Sequence, residues 1–173
     1  MSLRGNKAVF FDRDGVINEK LPEDRYVTRW EEFRFLPDVF RTLRHIKSRG
    51  YLIILVTNQR GIARKLMTEQ QLQNIHQCMQ AALELHGCSF DRIFYCPHDI
   101  QDHCYCRKPR PGLLAMAEQY YRIDKANSYM VGDSAGDVEA GRRYGIKTIR
   151  IGTRDATADY SVGRLEDILN IVT

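Results

Sequence analysis

The chain has 173 residues, of which 43% are hydrophobic and 28% charged, as is typical of one soluble globular domain over residues 1–173. The longest apolar run, residues 51–56, is too short to cross a bilayer, and the N-terminal sequence does not have the form of a signal peptide. The net charge of +4 is too small and too dispersed to indicate nucleic-acid binding. We therefore expect a cytoplasmic monomer with no membrane or nucleic-acid partner.

Predicted strands and helices alternate along the chain. Apolar runs indicate strands, and helical periodicity bounded by proline, capping residues or glycine indicates helices. In chain order the sequence predicts a strand at 7–11, a helix at 37–49, a strand at 51–56, a helix at 68–86, a strand at 92–95, a helix at 111–122, a strand at 128–131, a helix at 134–144, a strand at 147–151 and a helix at 164–172. This alternation predicts an α/β fold, a Rossmann-like three-layer sandwich with a central parallel sheet.

Polar residues follow four of the predicted strands. They are Asp12-Arg13-Asp14-Gly15 after the first strand, Thr57-Asn58-Gln59 after the second, Arg107-Lys108-Pro109 in the loop after the third and Gly132-Asp133 after the fourth. The carboxyl ends of parallel strands lie at one edge of the sheet, where such folds bind ligands. We therefore expect these four groups to converge on one site.

The residue types in these groups suit phosphate chemistry. Asp12 and Asp14 repel each other unless a cation lies between them or one is protonated, and Asp133 adds a third carboxylate, which suits Mg²⁺. Thr57 offers a hydroxyl group and Lys108 a positive charge to a phosphate. Phosphoryl transfer needs a nucleophile, a proton shuttle and fixed positive charge. Taken alone, each group has a plainer explanation as a turn or a solvated charge, but their order at successive strand ends favours a common site.

Three of the five cysteines lie close together in one loop. Cys96 and His98 are followed after five residues by Cys104 and Cys106, a donor set that suits a closed, structural Zn²⁺ site. Free thiols are the alternative, because a disulfide between Cys104 and Cys106 is sterically unfavourable. His103 is a rival ligand to His98.

The motifs together resemble those of the haloacid dehalogenase superfamily of phosphohydrolases. The matching stretches are FFDRDG at 10–15, LVTNQ at 55–59, RKP at 107–109 and VGDSAGD at 131–137. The resemblance implies that Asp12 attacks phosphorus, and that Asp14 protonates the leaving oxygen and then activates water. It also implies that Asp12, the backbone carbonyl of Asp14 and Asp133 hold Mg²⁺, while Thr57 and Lys108 hold the phosphoryl group. Asp137 either orients Lys108 or only caps a helix with Ser134.

Within the superfamily, the sequence is most similar to the D,D-heptose 1,7-bisphosphate phosphatases. The stretches 61–64 and 111–112 favour this branch over the neighbouring histidinol-phosphate phosphatases. The resemblance implies a phosphorylated sugar substrate on a route to lipopolysaccharide or S-layer sugars. The alternatives are histidinol phosphate, a polynucleotide 3′-phosphate, another small phosphate ester, or a non-catalytic binding module.

Several polar residues are candidate substrate contacts: Asn58, Gln59, Arg60, Arg107, Lys108 and Ser134. A bisphosphate needs a further cation for its second phosphate, and Arg60, Arg64 and Arg107 are the candidates, with plain surface charge as the alternative. No insertion after Asp14 or between the second and third strands is large enough to fold as a cap domain. We therefore expect an open site.

Overall fold

The computed structural model describes residues 5–173, so the first four residues of the predicted single domain lie outside the described residues. Within this range six parallel strands form one sheet in the order β3-β2-β1-β4-β5-β6. The strands are β1 (Ala8–Phe11), β2 (Leu52–Asn58), β3 (Arg92–Cys96), β4 (Tyr129–Gly132), β5 (Lys147–Ile151) and β6 (Tyr160–Val162). β1 lies at the centre of this order, so Asp12 emerges in the middle of the sheet edge.

Helices cover both faces of the sheet. The α-helices are α1 (Val39–Ser48), α2 (Glu69–Glu84), α3 (Gly112–Ala115) and α4 (Ala135–Tyr144). Short 3₁₀ helices occupy Trp30–Glu32, Ile100–Asp102, Met116–Gln119, Lys125–Asn127 and Leu165–Asn170. None of the helices within residues 5–173 is both long and apolar enough to span a bilayer.

The core is divided into two clusters by the sheet. Val9 and Phe11 of β1 pack on one face with residues of α1 and α2, whereas Ala8 and Phe10 pack on the other face with residues of α3 and α4. All four β1 side chains are therefore fully buried, as expected for a parallel strand covered on both sides. This arrangement confirms the predicted three-layer α/β fold.

The structure differs from the predicted elements in three places. β6 was not predicted, because it is a three-residue edge strand whose side chains are largely exposed and which has no apolar run. The predicted helix at 111–122 is an α-helix only over α3 and continues as the 3₁₀ helix Met116–Gln119. The predicted helix at 164–172 is the 3₁₀ helix Leu165–Asn170, whose buried Leu165 and Ile168 have the three-residue spacing of a 3₁₀ turn.

Two helix starts follow directly from the sequence. The side chain of Thr68 accepts a hydrogen bond from the backbone N–H of Gln71, and the side-chain oxygen of Gln71 accepts one from the backbone N–H of Thr68. This capping box begins α2 as predicted. Ser134 and Asp137 form the same reciprocal arrangement at the start of α4. The second of these caps lies at the site.

Candidate active site

Three carboxylates meet at the carboxyl edge of the sheet. Asp12 follows β1 directly, Asp133 follows β4, and Asp137 lies in the first turn of α4. One oxygen of each lies within 4.8 Å of the others. The Oδ1 atom of Asp133 is buried and has no hydrogen-bond partner within residues 5–173. An unpartnered carboxylate oxygen in an all-oxygen cluster fits a hard divalent cation such as Mg²⁺.

In the turn after β1, the backbone of Gly15 lies close to the Asp133 carboxylate. Gly15 adopts φ +88°, and a Cβ atom at this position would overlap the Asp133 carboxylate. Glycine therefore satisfies both the left-handed backbone and the close approach. These two constraints explain why the Asp-x-Asp-Gly motif has glycine at its last position.

Lys108 pairs with two of the three carboxylates. Its Nζ is 2.8 Å from Asp12 Oδ1 and 2.6 Å from Asp137 Oδ1, and it donates to the carbonyl of Val56 at 2.8 Å. Burial would lower the pKa of Lys108, but the two carboxylates outweigh burial and raise it above its ordinary value. The ammonium group therefore stays charged inside the protein.

Asn58, which was predicted to contact substrate, instead uses its side chain to bind the backbone of Lys108. Its Nδ2 donates to the Lys108 carbonyl at 3.0 Å, and its Oδ1 accepts from the Lys108 N–H at 3.1 Å. The nitrogen and the oxygen of one side-chain amide thus join the end of β2 to the loop after β3. The sequence offered no signal for this link, because the partners are 50 residues apart.

The two aspartates of the motif have opposite electrostatic settings. Burial raises the pKa of Asp12 to about 7, with Asp137 and Asp14 adding to the rise and Lys108 opposing it. Burial also favours a raised pKa for Asp14, but the charge of the Arg13 guanidinium and the hydrogen bonds from Asn18, Arg13 and Gln59 together outweigh burial. The pKa of Asp14 therefore lies below its ordinary value. About half of Asp12 is therefore ionised at neutral pH, and further positive charge beside it would favour the fully ionised form.

Asp137 has both of the functions that the sequence left open. Its Oδ1 pairs with Lys108, while its Oδ2 accepts hydrogen bonds from the backbone N–H and the Oγ of Ser134 at 3.0 and 2.6 Å. The side chain is fully buried. The helix cap and the orientation of Lys108 thus depend on the same carboxylate.

A cavity of about 260 Å³ opens above the cluster. Of the predicted site residues, it is lined by Asp12, Asp14, Asn58, Lys108, Asp133 and Ser134. Thr57 and Gln59 are buried beneath it, with Gln59 Nε2 donating to Thr57 Oγ1 at 2.9 Å and to Asp14 Oδ2 at 3.0 Å. Residues 20–27 form the opposite wall. The sequence indicates that the irregular stretch 18–36 frames the site, because ligands bind beyond the carboxyl ends of the strands. No pattern in the stretch selects an individual residue of this wall.

Lys20 of this wall is a site residue that the sequence did not reveal. Its Nζ is 2.6 Å from Asp133 Oδ2. The pairing leaves Asp133 Oδ1 as the oxygen of that carboxylate that has no partner among the residues the structure describes. A lone lysine in an irregular stretch carries no signal of such a contact.

The three arginines considered for a second phosphate do not line this cavity. Arg60 donates to the hydroxyl of Tyr26 at 3.0 Å and to Asp24 at 3.2 Å, and Arg64 also pairs with Asp24. Arg107 donates to the carbonyl of His98 at 3.3 Å and lines a separate cavity of about 440 Å³ beside the cysteine loop. The first two arginines are thus paired with the wall of the candidate site.

The cysteine loop brings four possible zinc ligands together. Cys96 Sγ lies 3.5 Å from both His98 Nδ1 and Cys104 Sγ and 3.2 Å from Cys106 Sγ. Cys106 Sγ lies 3.3 Å from His98 Nδ1 and 3.5 Å from Cys104 Sγ. These near-equal separations describe a tetrahedron somewhat smaller than the one that Zn–S bonds of about 2.3 Å produce. None of the five cysteines forms a disulfide, and His103 is not part of the cluster.

Four features together define a class of protein. They are a parallel sheet, an Asp-x-Asp-Gly turn after its central strand, a carboxylate after the neighbouring strand, and a buried lysine. The class is the phosphohydrolases of the haloacid dehalogenase type. The family profile described as polynucleotide kinase 3 phosphatase matches residues 7–162, which is most of the chain.

Named relatives narrow the class. The chain is 42% identical over 151 residues to the D-glycero-beta-D-manno-heptose-1,7-bisphosphate 7-phosphatase of Haemophilus ducreyi, covering 83% of this chain and 81% of that protein. It is 36% identical over 176 residues to the protein of the same name from Yersinia pestis, covering 93% and 92%. The crystal structure of the D,D-heptose 1,7-bisphosphate phosphatase of B. bronchiseptica with magnesium and phosphate superimposes with a TM-score of 0.87 at 30% identity, covering 96% of this chain and 97% of that one.

The chain belongs to the haloacid dehalogenase superfamily, in the family that contains these heptose bisphosphate phosphatases. The predicted family resemblance is confirmed. These relatives are phosphomonoester hydrolases, the enzyme class that the sequence predicted.

Proposed function

We propose that this protein is a Mg²⁺-dependent phosphomonoester hydrolase that acts on D-glycero-D-manno-heptose 1,7-bisphosphate and removes the 7-phosphate. The observation that carries the proposal is the cluster of Asp12, Asp133 and Asp137, in which Lys108 pairs with Asp12 and Asp137 and which opens to a cavity that Asp14 also lines. The named relatives support the choice of substrate. Such a reaction would serve the synthesis of lipopolysaccharide or S-layer sugars.

The chemistry is covalent catalysis through Asp12. Its carboxylate attacks phosphorus, so that a bond from Asp12 to phosphorus forms as the bond to the sugar oxygen breaks. Asp14 gives its proton to that leaving oxygen. Water then attacks the aspartyl-phosphate, Asp14 takes a proton from the water, and inorganic phosphate leaves with Asp12 restored.

The surrounding residues supply charge and position. Asp12, the backbone carbonyl of Asp14 and Asp133 would hold Mg²⁺, which would neutralise phosphate charge and favour the ionised form of Asp12. Lys108 presents a fixed ammonium to the phosphoryl oxygens, since Asp137 and the Val56 carbonyl hold it in place. Thr57 and Ser134 are the remaining candidates for phosphoryl contacts. An anionic substrate beside Asp14 would raise the pKa of that carboxyl and so favour the protonated acid.

The zinc site would be structural. Its four protein ligands leave no position for substrate, and Cys106 is followed immediately by Arg107 and Lys108. A bound Zn²⁺ would stiffen the loop that delivers Lys108 to the cluster.

A panel of phosphate esters tests the proposal. We expect the kcat/KM for heptose 1,7-bisphosphate to exceed those for fructose 1,6-bisphosphate, histidinol phosphate and a 3′-phosphorylated oligonucleotide. The last substrate is included because the matching family profile describes a polynucleotide phosphatase. A higher value for one of the alternatives would overturn the choice of substrate.

The variant Asp12→Asn tests the mechanism independently of the substrate. We expect it to fold and to lose hydrolysis of a generic aryl phosphate, because an amide cannot act as the nucleophile. Full activity in this variant would overturn covalent catalysis through Asp12.

A further inference from the structure

A buried arginine lies between the two aspartates of the motif. Only 1% of Arg13 is exposed, and a buried guanidinium is costly unless acceptors surround it. Its NH2 donates to Asp14 Oδ1 at 3.0 Å, and its NH1 lies 3.3 Å from His76 Nε2. The guanidinium therefore joins Asp14 to a helix on the far side of the motif.

His76 is held as a neutral acceptor. It lies on the inner face of α2 and is 7% exposed. Burial and, after it, the nearby Arg13 lower the pKa of His76 to about 3. The ring is therefore uncharged at neutral pH, so that Nε2 accepts from Arg13 and the proton is on Nδ1. A neutral acceptor orients the guanidinium without cancelling the positive charge that faces Asp14.

The hydrogen bonds to Asp14 distinguish its two oxygens. Oδ1 accepts from Arg13 NH2 and Asn18 Nδ2, each at 3.0 Å. Oδ2 accepts only from Gln59 Nε2, also at 3.0 Å, among the described hydrogen bonds. Because the two donors occupy Oδ1, Oδ2 is the oxygen available to carry a proton. The carboxylate plane is thereby fixed with respect to the cavity.

His76 is separated from the substrate side of the sheet edge. It does not line the cavity that contains the carboxylates, and instead lines a surface groove of about 440 Å³ with Gln73, Gln77 and Tyr95. It therefore cannot touch a substrate bound above Asp12. Any effect of His76 on the reaction must pass through Arg13.

We infer that His76 is a positioning residue for Asp14, which through Arg13 fixes the orientation in which Asp14 Oδ2 gives and takes a proton. The inference rests on the proposed function, because it takes Asp14 as the acid and base. Without the acceptor, the guanidinium can rotate away from Asp14 Oδ1. Proton transfer is then impaired, while Lys108 and the carboxylate cluster remain in place.

Three variants on α2 test the inference. His76→Leu removes the acceptor, His76→Gln keeps one on a side chain of similar reach, and Met79→Leu changes packing on the same buried face. We expect His76→Leu to lower kcat for a sugar phosphate by about tenfold with KM changed by less than about twofold. His76→Gln should recover most of the loss, and Met79→Leu should show none.

Substrates with different leaving groups distinguish a loss of proton transfer from general damage to the fold. Release of 2,4-dinitrophenolate needs no proton, so its first-turnover rate from dinitrophenyl phosphate should stay within about twofold of wild type in His76→Leu. Equal losses with both substrates would overturn the inference, as would full activity towards the sugar phosphate. Should His76→Leu fail to fold, His76→Asn replaces it, because the shorter amide cannot reach Arg13.

Asp12→Asn, measured alongside, separates failure of the inference from failure of the proposed function. An inactive Asp12→Asn beside a fully active His76→Leu overturns the inference alone. A fully active Asp12→Asn overturns the proposed mechanism and the inference with it.

Discussion

The two candidate metal sites of this protein are built in different ways. The four thiol and imidazole ligands come from residues 96–106, at the end of β3 and in the loop that follows it, so they meet once that loop closes. The carboxylates come from the ends of two strands and from α4, and Lys108 reaches them from the loop after β3. They meet only after the sheet has formed.

The two sites also differ in what they leave open. The thiol cluster has four protein ligands, which fill a tetrahedral zinc ion. The carboxylate cluster lies under a cavity and keeps one buried oxygen of Asp133 without a hydrogen-bond partner in the described part of the chain. The first arrangement suits stability and the second suits chemistry. Variants in the carboxylate cluster should therefore affect mainly activity, whereas variants in the thiol cluster should also lower stability.

The largest expected effect is the loss of catalysis without loss of fold. Asp133→Asn keeps the shape of the side chain but removes a charge from the carboxylate cluster. We expect kcat/KM to fall about 1,000-fold, since the metal stabilises transition-state charge by several kcal/mol, and thermal stability to stay close to wild type. Steady-state kinetics and calorimetry measure both. Glu139→Gln on α4, the helix that follows Asp133, is the control, and a loss in that variant would contradict the assignment.

A double substitution in the thiol cluster should instead reduce both properties. Cys104→Ser with Cys106→Ser should remove about one Zn²⁺ per chain, lower the unfolding temperature, and reduce activity about 100-fold as Lys108 becomes misplaced. Metal analysis, calorimetry and kinetics follow the three effects. Cys78→Ser, a thiol outside the cluster, is the control. If metal analysis finds no zinc in the wild-type protein, the thiol cluster is not a zinc site and the comparison between the two sites fails.

Loss of the hydrogen bonds between Asn58 and Lys108, which link the two sites, should have a smaller effect on the protein. Asn58→Ala removes both hydrogen bonds to the backbone of Lys108, and leaves a partly buried N–H without its acceptor. We expect about 1–3 kcal/mol lower stability with both metals still bound. Urea denaturation and metal analysis test this, with Asn127→Ala, whose amide bond is exposed, as the control. Loss of zinc in Asn58→Ala would show that the two sites are not separable.

The smallest expected effect is a pH dependence of stability that comes from α2. Burial lowers the pKa of His76 to about 3, with Arg13 adding to the fall and Asp14 opposing it, against about 6.5 in an unfolded chain. The unfolded chain therefore binds a proton first, and stability is lost as pH falls below 6.5. The loss is about 1.4 kcal/mol between pH 7.5 and 5.5.

Urea denaturation of wild type and His76→Gln at both pH values isolates this contribution, because the other titrating groups cancel in the comparison. Wild type should lose more stability than the variant on acidification. An equal loss in the two proteins would show that His76 is protonated in the folded state.

Much of the fold was predictable because its signals are local. The apolar runs of β1, β2 and β4, the proline and glycine boundaries of the helices, and the capping box at Thr68 each depend on a few neighbouring residues. The strand–helix alternation then determines a parallel sheet. β6 escaped prediction because a short exposed edge strand carries no apolar pattern.

The sequence by itself determined which groups gather at the sheet edge, since Asp12, Asp133 and the Thr57 stretch follow strands and parallel strands end on one side. Only the tertiary structure decided how these groups are connected. Asn58 holds Lys108, Lys20 pairs with Asp133, and His76 reaches Asp14 through Arg13. Most of these contacts join residues 50 or more positions apart. Such contacts depend on how helices and loops pack against the sheet, and local sequence patterns carry no information about that packing.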